Sequence, residues 1–371
     1  RCAREVFFGK GVRGRLGKHA ALLGERALIV CGRTALRASG ALDELRASLE
    51  GADMSVTVFD QVESEPSLAT VERGRAAFAA ECCDLVVAAG GGSALDVGKA
   101  IAALAPLTEP VAHFFAGAEI TGPGRPCIAL PTTAGTGAEV TPNSVLTDTA
   151  SGLKASIRGH ALLPEIALVD PELTVTCPPD QTAYSGLDAL TQAIEAYVSL
   201  GANPVSDAWA EESVRRIARG LRAAVANGAD LEARTDMALG SLLAGLALAS
   251  ARLGLVHGLA HPLGALYHLP HGRVCGALLP AIMRFNKQAA EAKYARLASL
   301  LGLGEDAEAL LSWVSALVEE LDANIDFKAA GLRAEDFDAI IGPTLASGST
   351  KHNPRPVDEA SVREFLVELM A

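Results

Sequence analysis

Short apolar runs alternate with amphipathic stretches along roughly the first 170 residues of the chain. The apolar runs predict strands at Ala27–Cys31, Ser55–Phe59, Leu85–Ala89, Cys127–Leu130 and Ile166–Val169. The stretches 42–50 and 67–80 between them have helical spacing. Nearly continuous apolar strands separated by helices are typical of a parallel sheet covered on both faces. The pattern therefore predicts an α/β domain.

The pattern changes beyond about Asp180, where β-branched runs fade and long segments of alanine, leucine, arginine and glutamate follow. A long helix is predicted from Pro204 to Ala226 with Asn203 as its N-cap, because proline suits the first helical turn. Further helices are predicted at 231–252, 287–301, 305–322 and 358–370. We therefore expect an α/β domain over 1–177 and an all-helical domain over 178–371.

The composition of the 371-residue chain limits its partners and its compartment. The formal net charge is −12 and no run of lysine and arginine supplies a basic face, so we expect no nucleic-acid partner. No apolar stretch of about 18 residues and no signal peptide is visible, which predicts no membrane span and a cytoplasmic protein. The seven cysteines form no C-x-x-C pair, so buried free thiols are expected rather than a disulfide framework.

A glycine-rich turn, Gly90-Gly91-Gly92-Ser93, directly follows the predicted strand at 85–89. We expect a helix to begin near Ser93, with Asp96 three residues later forming a variant of the capping box. Glycines let a backbone approach a phosphate closely, and the N–H groups at a helix start attract an anion. The spacing is not the usual G-x-G-x-x-G, and a tight strand-to-helix turn would also explain these glycines.

A second loop of small residues follows the predicted strand at 127–130. It reads PTTAGTGAE and carries three hydroxyl side chains, Thr132, Thr133 and Thr136. Small residues and hydroxyls at the carboxyl end of a strand suit the ligand crevice of an open α/β sheet. The two loops together predict a nucleotide site in the first domain.

Four of the eight histidines fall within one short stretch, VHGLAHPLGALYHLPHG at 256–272. Imidazole is the commonest protein ligand of transition metals. Asp188 and Gln192 are four residues apart on a strongly helical segment, so they share a helix face, and His257 and His261 have the same spacing. Asp188, His257 and His271 are therefore candidates to converge on one divalent ion, with Gln192 near or on it.

The same residues also have ordinary structural explanations. A single aspartate in a helix is usually solvated, and a single histidine is more often a hydrogen-bonded structural residue than a ligand. His268 is expected either to have a structural role or to contact a metal ligand without binding the ion itself. Spacing alone therefore leaves the presence of a metal open.

Several ordered motifs together resemble the iron-containing, or group III, alcohol dehydrogenases, whose superfamily includes glycerol dehydrogenase and dehydroquinate synthase. The motifs are GGGSALDVGKAI, PTTAGTGAEVT, LVDPELT, GLDALTQAIEAYVS, VHGLAHPLGALYHLPHG and NPRPV, and they cover nearly the whole chain. The resemblance implies an N-terminal NAD(P)-binding α/β domain and a C-terminal helical domain, with a catalytic divalent metal in the cleft between them. It also implies hydride transfer between nicotinamide C4 and a small alcohol or aldehyde, and a homodimer.

The resemblance assigns metal-binding positions to Asp188, Gln192, His257 and His271. The family commonly has histidine at position 192. The glutamine here makes Fe2+ less secure as the ion and Zn2+ more plausible, and it leaves open whether the metal is retained. An amide oxygen is a weak, hard ligand that would hold an ion loosely or hydrogen-bond a water bound to it. His261 matches a histidine beside the nicotinamide, as a proton relay or a wall of that site.

The resemblance also implies which residues contact the cofactor. The resemblance places the 2′ position of the coenzyme's ribose beside Gly32-Arg33-Thr34, where NAD-preferring relatives often carry aspartate. This sequence leaves room for a phosphate that Arg33 would pair with, which favours NADP(H), although Arg33 facing solvent would leave NAD(H) equally possible. The other expected contacts are Gly90, Gly91, Gly92, Ser93, Asp96, Thr132, Thr133, Thr136, Lys154 and Leu173.

Three other functions are consistent with parts of the sequence. A metal-independent reductase of a keto acid, like maleylacetate reductase, usually has asparagine where Asp188 stands. A sugar-phosphate cyclase like dehydroquinate synthase needs lysines and arginines that 131–141 and 256–271 lack. A nucleotide-binding homologue without activity is suggested only by Gln192.

Overall fold

The computed structural model describes residues 2–370 and divides into two compact units. One unit contains the residues up to Cys177 together with Gly228–Ala238. The other contains Pro178–Asn227 and the chain from Leu239 onwards. The predicted domains, 1–177 and 178–371, differ from these units at 228–238, which groups with the first unit.

The first unit is built on a parallel sheet. Its strands are β1 (Glu5–Phe8), β2 (Arg26–Gly32), β3 (Ser55–Val62), β4 (Leu85–Gly90), β5 (Cys127–Pro131), β6 (Asn143–Asp148), β7 (Leu153–Arg158) and β8 (Ile166–Val169). Six of them lie side by side in the order β1-β8-β5-β4-β2-β3, and every neighbouring pair is parallel. β6 and β7 form a separate antiparallel pair. The five predicted strands correspond to β2, β3, β4, β5 and β8.

Apolar side chains cover both faces of this sheet. The helices of the unit are α1 (Leu16–Ala20), α2 (Ala35–Ala38), α3 (Ala41–Glu50), α4 (Leu68–Ala80), α5 (Gly92–Leu104) and α6 (Val111–Phe115). Leu28 and Val30 of β2 belong to one buried cluster, whereas Ile29 and Cys31 belong to the other. Successive strand side chains point to opposite faces, so an uninterrupted apolar strand fills two cores. The predicted α/β fold is confirmed.

Two elements of this unit have no clear signal in the sequence. β1 is a four-residue edge strand whose side chains are exposed or half-buried, so it lacks the continuous apolar run of the central strands. The β6–β7 pair mixes serine, threonine, lysine and aspartate with its apolar positions. An edge strand and a small hairpin carry a weaker hydrophobic pattern than a strand buried on both faces.

The second unit is helical, as predicted. Its helices are α7 (Pro179–Val198), α8 (Pro204–Ala226), the later part of α9 (Leu231–Ala251), α10 (Leu255–Tyr267), α11 (His271–Leu300), α12 (Ala307–Glu320), α13 (Phe337–Ala346) and α14 (Glu359–Glu368). Asn203 accepts hydrogen bonds from the backbone N–H groups of Val205 and Ser206, so the predicted N-cap of α8 is confirmed.

The longest helix begins well before its predicted start. The spacing predicts a helix at 287–301, but α11 runs from His271 and passes through Pro280. α10 likewise continues through Pro262. Proline inside a helix removes one backbone hydrogen bond and crowds the preceding turn, at a cost of about 3 kcal/mol, which the burial of the surrounding side chains offsets. His271 is the first residue of α11.

The expectations about cysteines and membrane spans can be compared with the described residues. No disulfide joins any of the seven cysteines within residues 2–370; four of them are buried, whereas Cys2 and Cys82 are exposed. Among residues 2–370, no single helix has the length and apolar character to cross a membrane, although the bent pair α9 and α10 passes the same test on length and composition.

Charged groups are buried beneath the glycine-rich turn. The Lys99 ammonium is fully buried and donates to the Ala138 carbonyl at 2.8 Å, with the Asp96 carboxylate 3.4 Å away. Asp96 also accepts a hydrogen bond from the Val145 backbone N–H. Lys99 therefore ties α5 to the segment that follows β5. Burial also raises the pKa of the neighbouring Glu139 to about 7.

Replacing Glu139 with glutamine should stabilise the protein at pH 8 and have little effect at pH 5. The folded protein holds the Glu139 proton up to about pH 7, whereas the unfolded chain loses it near pH 4.5. Ionising the buried group therefore lowers the free energy of unfolding as pH rises through this window, by up to about 3 kcal/mol. Thermal unfolding of both proteins at the two pH values measures the difference.

Glu119, which is exposed, provides the matched control. Glu119→Gln should give the same small change in melting temperature at both pH values. An equal effect of Glu139→Gln at pH 5 and pH 8 would contradict the raised pKa.

Candidate functional site

One face of α7 carries the acidic and amide side chains of the candidate site. Asp188, Gln192 and Glu195 are spaced at i, i+4 and i+7, so they lie along a single stripe of the helix. All three are buried, with at most 4% of their surface exposed. A buried carboxylate is costly unless it is paired or coordinates a cation. The arrangement therefore requires partners from the neighbouring helices.

α10 and α11 supply these partners. His257 Nε2 lies 3.2 Å from Asp188 Oδ1, and His271 Nε2 lies 3.8 Å from the same oxygen. Cys275 Sγ is 3.6 Å from His271 Nε2 and 3.9 Å from His257 Nε2. The four donor atoms all lie within 4.8 Å of one another. Three of these residues were predicted to converge, and Cys275 was not among the candidates.

Glu195 fixes the orientation of the His257 ring. Its Oε2 atom lies 2.6 Å from His257 Nδ1, and its Oε1 atom accepts a hydrogen bond from the Val256 N–H at 2.7 Å. A carboxylate beside Nδ1 keeps a proton on that nitrogen, so an ion would meet the neutral ring at Nε2, on the side of Asp188 and Cys275. No pattern in the sequence distinguishes Glu195 from the other acidic residues of helical segments.

The first turn of α10 is held by side chains from distant parts of the chain. Glu195 bonds the Val256 N–H, and Asn353 Oδ1 accepts from the Leu255 N–H at 3.2 Å. A Cβ atom at Gly254 would lie 2.8 Å from Glu195 Oε1 and 3.0 Å from Asn353 Oδ1. Glycine at 254 therefore lets both side chains reach the helix start, which positions His257 one turn later.

Two glycines let α11 approach α7 closely. A Cβ atom at Gly272 would lie 2.2 Å from the Tyr184 carbonyl oxygen, and one at Gly276 would lie 2.8 Å from Leu187. His271 and Cys275 directly precede these glycines and have the same four-residue spacing. The close contact between the two helices therefore brings both donors to Asp188.

The remaining predicted residues of this cluster have distinct positions. Gln192 Nε2 donates to Asp188 Oδ2 at 3.1 Å, so the amide holds the carboxylate oxygen that faces away from the two imidazoles. The His261 ring stacks on the His271 ring, with centroids 5.2 Å apart and an angle of 17° between planes. His268 is exposed and ends α10 in the left-handed conformation, outside the cluster.

The charges of the cluster suit a divalent cation. Burial raises the pKa of Cys275 to about 12 and tends to raise that of Asp188, but hydrogen bonding to His257 and the charge on His271 lower the pKa of Asp188 overall. Burial alone would lower the pKa of His257, yet the adjacent thiol and carboxylates raise it. Without a metal, a proton on imidazole balances the buried carboxylates, and a metal ion would supply that positive charge instead.

A buried acceptor beside the cluster also fits a bound ion. Gln192 Oε1 has no hydrogen-bond partner among the described residues, although its side chain is almost fully buried. Leaving such an acceptor unpaired costs about 1–3 kcal/mol. A water on a metal ion at Asp188 would donate to it. The residues present therefore fit a divalent metal.

The predicted nucleotide residues lie at one edge of the sheet. Gly32-Arg33-Thr34, the turn at 90–93, the loop at 131–137 and Leu173 follow the carboxyl ends of β2, β4, β5 and β8, respectively. These strands are neighbours in the order β8-β5-β4-β2. The chain reverses its winding direction between β2 and β4, and ligands of open α/β sheets bind at such a point.

The two predicted loops pack directly against each other. A Cβ atom at Gly92 would lie 2.7 Å from Thr136 Cγ2, and one at Gly91 would lie 3.4 Å from Thr133. The Thr132 N–H donates to the Gly90 carbonyl, where φ is +149°. Glycines at 90–92 therefore allow the close approach of the two loops.

The predicted capping box at Ser93 and Asp96 is wrong. Helix α5 begins at Gly92 with Gly91 as its N-cap, and no side chain caps it. Asp96 is instead buried against Lys99 and the Val145 N–H. The first N–H groups of α5 are left to bind something other than the helix's own side chains.

The other expected cofactor contacts vary in exposure. Arg33 and Thr34 are exposed at the end of β2. Lys154, on β7, forms an ion pair with Glu65. Leu173 is buried in a short 3-10 helix after β8. These roles remain predictions.

Comparisons with known proteins agree with this architecture. Two sequence models of one protein family match the chain. The model named iron-containing alcohol dehydrogenase matches residues 3–171, and the model of the C-terminal part of the Fe-containing alcohol dehydrogenase family matches residues 182–370. The chain belongs to the iron-containing alcohol dehydrogenase family. The resemblance identified from the sequence motifs is therefore confirmed.

Individual relatives cover almost the whole chain. A 1,3-propanediol dehydrogenase of Citrobacter freundii is 39% identical over 97% of this chain and 95% of its own. An NAD-dependent methanol dehydrogenase of Bacillus methanolicus is 33% identical over 96% of each. A crystal structure of a 1,3-propanediol oxidoreductase superposes with a TM-score of 0.95 at 38% identity, covering 99% of this chain and 98% of that one.

Replacing Gly272 with alanine should weaken metal binding by this iron-containing alcohol dehydrogenase about tenfold or more. The added Cβ atom would meet the Tyr184 backbone, which cannot move aside as a side chain can, so α11 must shift from α7. Such overpacking costs about 1–3 kcal/mol. The shift would separate His271 from Asp188. Zn2+ affinity, measured by competition with a chelator, tests this expectation.

Gly342 in α13 is the matched control, because a Cβ atom there meets nothing within 4 Å. Gly342→Ala should leave Zn2+ affinity unchanged; its melting temperature is not the readout, because Pro343 follows directly and disfavours helical backbone at a residue with a Cβ atom. Equal Zn2+ affinities of Gly272→Ala and the parent protein would mean that the helix approach does not position the donors.

Proposed function

We propose that this protein is a metal-dependent, NAD(P)-linked alcohol dehydrogenase that also runs in reverse as an aldehyde reductase. The observation that carries the proposal is the convergence of Asp188, His257 and His271 in a member of the iron-containing alcohol dehydrogenase family. The propanediol and methanol dehydrogenases among its relatives support a short alcohol or aldehyde as the substrate.

In this proposal the metal is held by the cluster on α7, α10 and α11. Asp188, His257 and His271 would bind it, while Glu195 keeps the His257 ring in the binding tautomer. Gln192 restrains the Asp188 carboxylate through Oδ2. A bound divalent ion would supply Lewis-acid polarisation of the substrate oxygen, and a bound nicotinamide would supply the chemistry of hydride transfer.

His261 is proposed to handle the proton of the reaction. Its ring stacks on that of His271, so it lies beside the cluster, and it is half-buried rather than sealed in the core. Imidazole exchanges protons near neutral pH. An alcohol that is oxidised must lose its hydroxyl proton, and His261 would receive it and pass it towards solvent.

The sheet edge is proposed to bind the coenzyme. The uncapped N–H groups at the start of α5, with Gly90, Gly91, Gly92 and Ser93, would bind the pyrophosphate. Thr132, Thr133 and Thr136 would line the ribose and nicotinamide, with Asp96, Lys154 and Leu173 around them. Arg33, which is exposed at the end of β2, would pair with a 2′-phosphate.

The remaining parts of the proposal concern assembly and location. We expect a homodimer, as the family resemblance implies. The net charge of −12 supports a protein without a nucleic-acid partner. A cytoplasmic location without membrane attachment completes the expectation.

Replacing Asp188 with asparagine should remove the metal and most of the activity while sparing coenzyme binding. Losing the Lewis acid costs several kcal/mol of transition-state stabilisation, so the rate of NAD(P)H-dependent reduction of short aldehydes should fall about 1,000-fold. Metal content by elemental mass spectrometry, coenzyme affinity by fluorescence and steady-state rates are measured on the same sample.

The same measurements separate the proposal from its alternatives. Full activity without metal would indicate a keto-acid reductase of the metal-independent kind. Tight coenzyme binding by the parent protein without turnover of any alcohol or aldehyde would indicate a homologue that has lost activity. Either result would overturn the proposed function.

Replacing Gly32 with aspartate should shift coenzyme preference from NADPH towards NADH. A carboxylate at the end of β2 would bond the ribose hydroxyls of NADH and repel the 2′-phosphate of NADPH. Repulsion of a close like charge is worth a few kcal/mol, so kcat/KM for NADPH should fall about 100-fold while that for NADH is kept. An unchanged ratio of the two values would exclude this edge of the sheet as the 2′ site.

A further inference from the structure

We propose that Cys275 is a metal ligand in this protein, so that the ion is bound by one carboxylate, two imidazoles and one thiolate. The inference rests on the proposed function, because it concerns the ion that function requires. It replaces the expectation that position 192 supplies the fourth ligand.

The distances between donor atoms match a tetrahedral site. With metal–nitrogen and metal–oxygen bonds of about 2.05 Å and a metal–sulfur bond of about 2.3 Å, tetrahedral donors lie about 3.3–3.6 Å apart. The separations from Cys275 Sγ to His271 Nε2 and His257 Nε2 are 3.6 and 3.9 Å. Those from Asp188 Oδ1 to the same nitrogens are 3.8 and 3.2 Å. The remaining two separations are below 4.8 Å. Movements of about 1 Å would bring all four donors to one ion, and a fifth position would stay open for the substrate oxygen.

The packing of α11 against α7 fixes the position of Cys275 as closely as it fixes that of His271. It lies one turn after His271, and the glycines at 272 and 276 bring this face of the helix against α7. The thiol is fully buried, and both imidazoles lie within 4 Å of the sulfur. The other buried cysteines, such as Cys127, lie in no comparable cluster among the described residues.

Gln192 is engaged differently. Its Nε2 atom donates to Asp188 Oδ2, and a carboxylate can only accept, so the amide nitrogen is committed to that contact. The glutamine therefore orients the aspartate, while the sulfur of Cys275 completes the set of donors around Oδ1. In the proposed site, Gln192 holds Asp188 in place through Nε2 and offers Oε1, which has no partner among the described residues, to a water on the ion.

A thiolate ligand strengthens the preference of the site for zinc. Most sites of nitrogen and oxygen donors already bind Zn2+ more tightly than Fe2+, and thiolates are soft ligands that suit zinc. We therefore expect the thiolate to widen the difference between the affinities for Zn2+ and Fe2+. The thiol loses its proton to the buffer when the ion binds, so Zn2+ uptake should release more protons in the parent protein than in a variant without the thiol.

Cobalt substitution tests the proposal directly, because Co2+ bound to a thiolate shows a near-ultraviolet charge-transfer band. The band should be present in the full-length protein loaded with Co2+ and absent from Cys275→Ser. Zn2+ affinity of Cys275→Ser should fall at least about 100-fold, beyond the effect of removing a supporting residue. X-ray absorption of the zinc-loaded protein should show one sulfur neighbour at about 2.3 Å.

Two variants serve as controls. Cys127→Ser removes a buried thiol outside the cluster and should keep the band, and Gln192→Ala should keep the band while weakening Zn2+ binding by no more than about 100-fold. Circular dichroism and coenzyme affinity establish that Cys275→Ser is folded. A folded Cys275→Ser with unchanged Zn2+ affinity and cobalt spectrum overturns the proposal.

The outcome for Cys275 can be told apart from the outcome for the proposed function. Metal binding with alcohol oxidation but without a sulfur neighbour would refute the thiolate ligand and leave the dehydrogenase intact. A parent protein that binds neither Co2+ nor Zn2+ would refute both.

Discussion

Two carboxylates buried on one helix determine the architecture of the candidate site. Asp188 and Glu195 lie on the same stripe of α7 with almost no exposure to water. Removing one partner of a buried ion pair typically costs about 3–5 kcal/mol, because the remaining charge is left uncompensated. The imidazole of His257 lies between them, with one ring nitrogen near each carboxylate. The positions of α10 and α11 follow from the need to bring cationic or metal-binding groups to this stripe.

Electrostatics and packing reinforce each other here. Glu195 bonds both the His257 ring and the Val256 backbone, so one side chain sets the ring's tautomer and anchors the helix that carries it. Gly272 and Gly276 remove side-chain volume where α11 meets α7. The four donor atoms can therefore lie within a few ångströms of one another only because these two positions carry no Cβ atom. Close packing makes such positions intolerant of even one added methyl group.

Much of the fold could be predicted because its elements have strong periodicity. β2, β4 and β5 are buried on both sides and read as unbroken apolar runs, whereas β1 and the β6–β7 hairpin lack that signal. The start of α11 was missed because proline and glycines interrupt its pattern before residue 287. Tertiary packing stabilises a helix there that local propensity alone would not predict.

The candidate site was predictable only in part, for reasons of chemistry. Asp188, His257 and His271 are recognisable because a histidine-rich stretch and a helical aspartate are typical of metal ligands. Cys275 gave no such signal, since a single cysteine in an apolar helix resembles any buried hydrophobic residue. Glu195 could equally have been solvent-exposed, as most helical glutamates are. Roles that depend on contacts between distant helices cannot be deduced from spacing within one helix.

The link between Asn353 and α10 gives the last part of the chain an influence on chemistry far from it in sequence. Asn353 exchanges side-chain hydrogen bonds with Asn286 and accepts from the Leu255 N–H. The segment around Asn353 thus holds the start of α10, the helix that carries His257. Loss of the chain from Asn353 onwards would free the Leu255 N–H and also remove the buried side chains of α14, so the helix that presents His257 depends on this distant segment for both a hydrogen bond and packing.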